Sequence, residues 1–132
     1  MNQDQEHLGL LAVFHHVVAG VGFVFSSVFI VHVVLGACVL HAPEKLTGAG
    51  GELPPPFMGW MFILLGGAVV LAGWTYAAAM VVAGRFLARR KHYSYCLAMA
   101  AVSCLFAPLG TVLGVFTLLV LMRPSVKTAF GR

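Results

Sequence analysis

The stretch His92–Met122, HYSYCLAMAAVSCLFAPLGTVLGVFTLLVLM, decides the fold. It carries no Asp, Glu, Lys or Arg over 31 residues. Cations bound it on both sides, Arg85, Arg89, Arg90 and Lys91 before it and Arg123, Lys127 and Arg132 after it. Lys and Arg near the ends of membrane spans stay on the cytoplasmic side. A segment with basic residues at both ends must therefore leave that side and return, which requires a break near its middle. Ala107-Pro108-Leu109-Gly110 supplies one, because Pro cannot continue a helix but starts one well. The expectation is a third helix over 87–106, ~30 Å long if its basic first turn snorkels to the interface, and a fourth over 108–123, ~24 Å long. The fourth is short for a hydrocarbon core of ~30 Å, so a re-entrant hairpin reaching part of the way across is the competing reading. Either arrangement leaves the C-terminus on the cytoplasmic side.

Upstream, two more uncharged runs, His7–Pro43 and Leu53–Gly84, extend over 37 and 32 residues. Each exceeds the roughly 20 apolar residues that a span needs, and only a helix satisfies its backbone groups within one segment. The whole chain of 132 residues is 61% hydrophobic and 9% charged, against roughly 25% charged in soluble domains. That excludes an ordinary soluble enzyme and a disordered chain alike. The expected fold is all-α, a polytopic transmembrane bundle forming one domain over 1–132. Its helices are placed at about 8–40, 57–84, 87–106 and 108–123, the last two forming a short Pro/Gly-linked hairpin. A cleaved signal peptide is not expected, since Asp4 and Glu6 stand where a basic n-region belongs.

The loop 41–56 holds Glu44, Lys45 and Glu52 and reads as the outer loop, while 85–92 reads as a cytoplasmic basic loop. Both termini are then cytoplasmic. The outer loop, with Gly48-Ala49-Gly50-Gly51 and Pro54-Pro55-Pro56, is a connector whose stiff triple proline delivers the chain into the second helix. The first run, ~50 Å as one straight helix, must tilt, protrude or bend, with Gly20-Val21-Gly22 and Ser26-Ser27 as the kink candidates.

Helices in lipid associate by close approach at small residues. Gly59, Gly66 and Gly73 recur at intervals of seven beside Trp60, Gly67 and Trp74, and Gly110 and Gly114 make a GxxxG step; these are helix-packing surfaces, within a monomer or between copies. Cys96, Ala100 and Cys104 share a face, and the spacing of Cys38, Cys96 and Cys104 signals no metal cluster or disulfide.

Every carboxylate lies outside the apolar runs, which disfavours pumps and hydrolases that use an intramembrane acid. Histidines remain. Two imidazoles at one depth on different helices hold a haem b, and the one such pairing is His15 or His16 with His92. The alternative is that these histidines hydrogen-bond neighbouring helices or interfacial water. Arg85, Arg89, Arg90 and Lys91 suggest nucleic acid at first sight, but orienting a span and attracting anionic lipid head groups account for them, so no nucleic-acid partner is expected. Tyr93 and Tyr95 beyond them suit an interfacial aromatic belt, as Trp60 does at the other side.

Pro56-Phe57-Met58-Gly59-Trp60, Ala83-Gly84-Arg85 with Arg89-Arg90, the segment Cys104–Thr117 containing PLGTVLGVF, and the tail Arg123-Pro124-Ser125-Val126-Lys127 resemble a group of small bacterial integral membrane proteins with four helices and no characterised activity. The resemblance spans about residues 56–130 and implies an inner-membrane location and the four-helix count; it brings no catalytic or ligand residue. The functional expectation is a non-enzymatic accessory, assembly or interaction subunit whose partners are the lipid bilayer and other membrane subunits or itself. Two rivals stand beside it. One is a small oligomeric transporter or channel with Ser26, Ser27, His32 and Thr111 as polar lining; the other is a haem-binding electron carrier.

Overall fold

The computed structural model describes residues 3–47, 51–106 and 108–131; Gly48, Ala49 and Gly50 of the connector, Ala107 of the hairpin break and the cation Arg132 lie outside them. The described chain is helical, with no strand. In order, α1 spans Gln3–Ser27, α2 Ile30–His41, a 3₁₀ turn Pro43–Leu46, α3 Pro56–Arg89, α4 Tyr93–Ser103, α5 Leu109–Leu121 and α6 Pro124–Ala129. Two segments are long and apolar enough to cross a membrane, Gln3–His41 and Pro56–Arg89. The chain divides into two compact units, residues 1–21 with 76–132, and residues 22–75.

Of the ways expected for the first apolar run, placed at 8–40, the structure shows a break: α1 is followed by α2. The break falls at Val28-Phe29, directly after the serine pair and not at Gly20-Val21-Gly22. Its cause is local. The hydroxyls of Ser26 and Ser27 both donate to Phe23 O, at 3.0 and 2.7 Å, loading the carbonyl that the Ser27 amide would otherwise use alone. The chain then tightens to three-residue hydrogen bonds, Val28 to Phe25, Phe29 to Ser26 and His32 to Phe29, before α2 resumes.

In the unit of residues 22–75, α2 packs on the first half of α3 through glycine. A Cβ on Gly36 would lie 2.6 Å from Gly59 O, and one on Gly66 would lie 2.8 Å from His32 Cβ. One on Gly73 would collide with the Ser26 side chain. Phe23 stacks on Trp74 with centroids 5.3 Å apart, and the Trp74 indole donates to Ser27 Oγ at 3.0 Å. At its start α3 has Pro56 in the first turn, where a missing N–H costs nothing.

The other unit has a layered core. Leu8, Leu11, Ala12, His15 and Ala19 recur at three- and four-residue steps on one face of α1. Ala77, Met80, Ala83 and Leu87 do the same on α3, and Cys96, Met99, Leu113, Val120, Leu121 and Val126 complete the cluster from α4, α5 and α6. The boundary expected at 84/87 differs: α3 runs on to Arg89, so Leu87 belongs to it, and α4 begins only at Tyr93. A Schellman arrangement makes the stop, Lys91 N–H bonding Phe86 O at 3.0 Å and Arg90 N–H bonding Leu87 O at 3.3 Å, with Arg90 left-handed at φ 52°.

α4 and α5 form the hairpin, but shorter than the 87–106 and 108–123 expected. With 11 and 13 residues they measure ~16 and ~20 Å, each well under a hydrocarbon core of ~30 Å. The shortening comes from the turns. Residues 90–92 go to the Schellman stop at one end, and Cys104, Leu105 and Phe106 unwind before Pro108 at the other.

Candidate functional site

Gly110 and Gly114, the GxxxG step, face inward across the hairpin. A Cβ on Gly110 would meet Ser103 O at 2.6 Å, and one on Gly114 would meet Ala100 O at 2.5 Å and Cys104 Sγ at 2.6 Å. Gly59, Gly66 and Gly73 are likewise filled by α1 and α2 residues of their own unit. Two glycines not singled out from the pattern do the same work, Gly36 on α2 and Gly84 on α3, the latter against His16 and Ala12 O. Gly36 is the one glycine of α2, and Gly84 falls off the seven-residue step of Gly59, Gly66 and Gly73, so no repeat advertised either.

The interior polar groups tie helices to one another. Tyr76 donates to Ser103 Oγ at 3.2 Å, and Ser103, wholly buried, donates to Met99 O at 2.7 Å beside Met80 Sδ. Tyr93 donates to Leu121 O and Tyr95 to Ala79 O, so both aromatic residues expected in an interfacial belt also clamp α4 to α5 and α3. Thr111 Oγ1 donates to Cys104 O at 2.9 Å, closing the hairpin turn and occupying a hydroxyl expected to line a pore. The three cysteines are free thiols.

The histidine candidates occupy unlike surroundings. His15 is 0% exposed; its Nδ1–H donates to Leu11 O at 2.8 Å, and Nε2 has no partner. His16 is exposed, bonds Ala12 O at 2.7 Å and lies against Gly84. His92 is exposed in the α3–α4 turn with its ring 4.5 Å from that of Phe86. A haem iron needs Nε2 within bonding reach, and protein atoms close off His15 Nε2 so completely that not even a water fits against it. The residues present do not fit a haem b held by His15 and His92. In the other unit His32 Nδ1 is also without a partner, its ring stacked on Phe29 and edge-on to Phe62. No group of three or more His, Cys, Asp or Glu comes together among the described residues.

The cationic candidates gather at the end of α3. Arg85, Arg89 and Lys91 are exposed and Arg90 is half-buried. Among the described residues the one ion pair is elsewhere, Arg123 to Asp4 at 2.9 Å, so none of the four has a carboxylate partner there. His92 repeats the left-handed conformation of Arg90, at φ 52°. Beside the turn opens a cavity of about 530 Å³ lined by His92, Tyr93, Ser94, Tyr95, Phe130 and Gly131.

Asp4 is the polar centre that the sequence pattern left unassigned. It accepts from Ser125 Oγ as well as from Arg123, with His7 at 3.4 Å from the guanidinium. The Ser125 hydroxyl first, and then the Arg123 guanidinium, hold the Asp4 carboxyl below its usual range. The signal was present: with both termini expected on one side, an acid at one and a cation at the other are complementary.

Comparison with family models, curated proteins and solved structures gives no match.

Proposed function

We propose that this chain is an integral inner-membrane protein that works as an accessory, assembly or interaction subunit, not as a catalyst. The observation that carries the reading is the use of its polar groups. Tyr76, Ser103, Tyr93, Tyr95, Trp74, Ser27 and Thr111 all engage a neighbouring helix or turn, the role polar side chains play as glue between helices in lipid. Meanwhile large apolar side chains face outward along the long helices, Phe25, Phe57, Leu64 and Leu71 among them, which suits hydrocarbon as the solvent. The hydroxyls offered as pore lining, Ser26, Ser27 and Thr111, bond backbone carbonyls, which weighs against the transporter reading.

The proposed layout has α1–α2 and α3 crossing fully, with α4–α5 entering and leaving from the cytoplasmic side as a half-depth hairpin. Helix lengths of ~16 and ~20 Å support that depth. Contacts of Asp4 with Arg123 and Ser125 support termini on one side.

Purification of the tagged full chain from native membranes in a mild detergent tests the function. A fixed-stoichiometry complex with a larger membrane protein is the expected result. A lone chain that conducts ions or passes solutes in liposomes would replace the proposal with a transport one.

A further inference from the structure

We propose that the α3–α4 turn is a binding site for a phosphate-bearing anion, gripped by Arg90, Lys91 and His92 over the adjoining cavity. The glycerophosphate head group of an anionic phospholipid and free inorganic phosphate share that chemistry. Only the lipid source rests on the membrane reading above.

The first observation is where the side chains have been put. Left-handed backbone is the place for glycine, because a Cβ crowds the following carbonyl there. This chain has 15 glycines, yet both left-handed positions of the turn, Arg90 and His92, carry large, nitrogen-rich side chains. Strain retained where a glycine would remove it points to a use for the side chains. Lys91 stands between them, and neither Arg90 nor Lys91 has a carboxylate partner among the described residues.

The second observation is the cavity. At about 530 Å³ it falls within the range of small-molecule sites. Its walls are fixed in advance: Tyr93 and Tyr95 are anchored through their hydroxyls to Leu121 O and Ala79 O, and Tyr93 also packs edge-on to Phe130 at 5.6 Å. Phe86 props the His92 ring. The His92 imidazole therefore borders a space walled by aromatic rings, with Lys91 and Arg90 next to it in the chain, an arrangement that suits a phosphate joined to a short organic stem. General attraction of a basic loop to an anionic surface needs neither the cavity nor the left-handed side chains.

The test uses the full chain in dodecylmaltoside micelles, titrated separately with phosphatidylglycerol, phosphatidylcholine and inorganic phosphate, with binding and melting temperature both recorded. Phosphatidylglycerol should bind at least tenfold more tightly than phosphatidylcholine, by the order of magnitude expected of two or three basic contacts. Arg90→Gly and His92→Gly should each weaken it about fivefold without lowering the melting temperature, since glycine suits both positions. Lys45→Gln, the same loss of charge in the outer loop, should leave affinity unchanged. Inorganic phosphate binding without phosphatidylglycerol binding would keep the phosphate site and remove the lipid as its source. The proposal is overturned if neither anion binds, if Lys45→Gln weakens binding as much as Arg90→Gly, or if both glycine variants bind as the parent does.

Discussion

Gly66 and Gly67 are neighbours on α3, yet space treats them differently. A Cβ on Gly66 would press on His32 Cβ at 2.8 Å, while one on Gly67 meets nothing within 4 Å. Gly66→Leu should therefore lower stability by about 1–3 kcal/mol and Gly67→Leu should be near neutral, compared by melting temperature in one detergent; equal losses would show that the contact at Gly66 is not what decides. Arg90→Gly should move the other way, raising stability by about 1 kcal/mol through release of the left-handed side chain. A lower melting point would show that the Arg90 side chain stabilises the turn by more than its backbone costs. The heptad step of Gly59, Gly66 and Gly73 was legible because small size repeats visibly along a helix. What fills the groove was not, because it is set by the register of a helix that the pattern does not contain, so Gly36 opposite Gly59 went unnoticed.

At the scale of elements, helix and turn were legible and helix length was not. An uncharged run measures chain, and part of 92–122 is spent on turns: the Schellman stop removes His92, and unwinding at Cys104-Leu105-Phe106 removes the end of the expected third helix. The half-depth hairpin of the proposed layout rests on that loss. Leu105 at the tip is 82% exposed and apolar, and the Leu105 and Phe106 amides are bonded within the turn, to Val102 O and Ser103 O, as a turn placed at membrane depth requires. In a background without the native cysteines, Leu105→Cys should resist a membrane-impermeant maleimide from either side, and Lys91→Cys should react from the cytoplasmic side alone. Labelling of the Leu105 position from the outer side would make α4 and α5 full crossings.

The clasp at the start of α6 is a second element-level device. Because the Asp4 carboxyl titrates below its ordinary 3.8, its contribution is fully present above that pH and is lost as pH falls through the lower folded value. Exchange protection of the α6 amides, corrected for intrinsic rates, should be flat from pH 7 to pH 4 and drop only below. Asp4→Asn should show the drop at pH 7, and protection that falls well above pH 4 in the parent chain would take the effect away from Asp4.

For the molecule as a whole, the sides proposed for its cations and the contacts between chain ends are independent constraints on one layout. In the proposed layout Arg85, Arg89, Arg90 and Lys91 put the α3–α4 turn on the cytoplasmic side by composition. Tyr93 hydroxyl to Leu121 O and Asp4 to Arg123 then gather the start of α4, the end of α5 and the start of α1 by geometry. An even number of full crossings satisfies both, whether the hairpin is shallow or deep. Reporters fused after Lys127 and within residues 46–52 should accordingly register opposite faces of the membrane. Lys45→Glu should leave that result unchanged. Replacing Arg89, Arg90 and Lys91 together by Gln should produce a mixed population, since the inner bias then rests on Arg85 and the tail. Both reporters on one face in the parent chain would break the pairing of composition with contact on which the two-crossing layout depends.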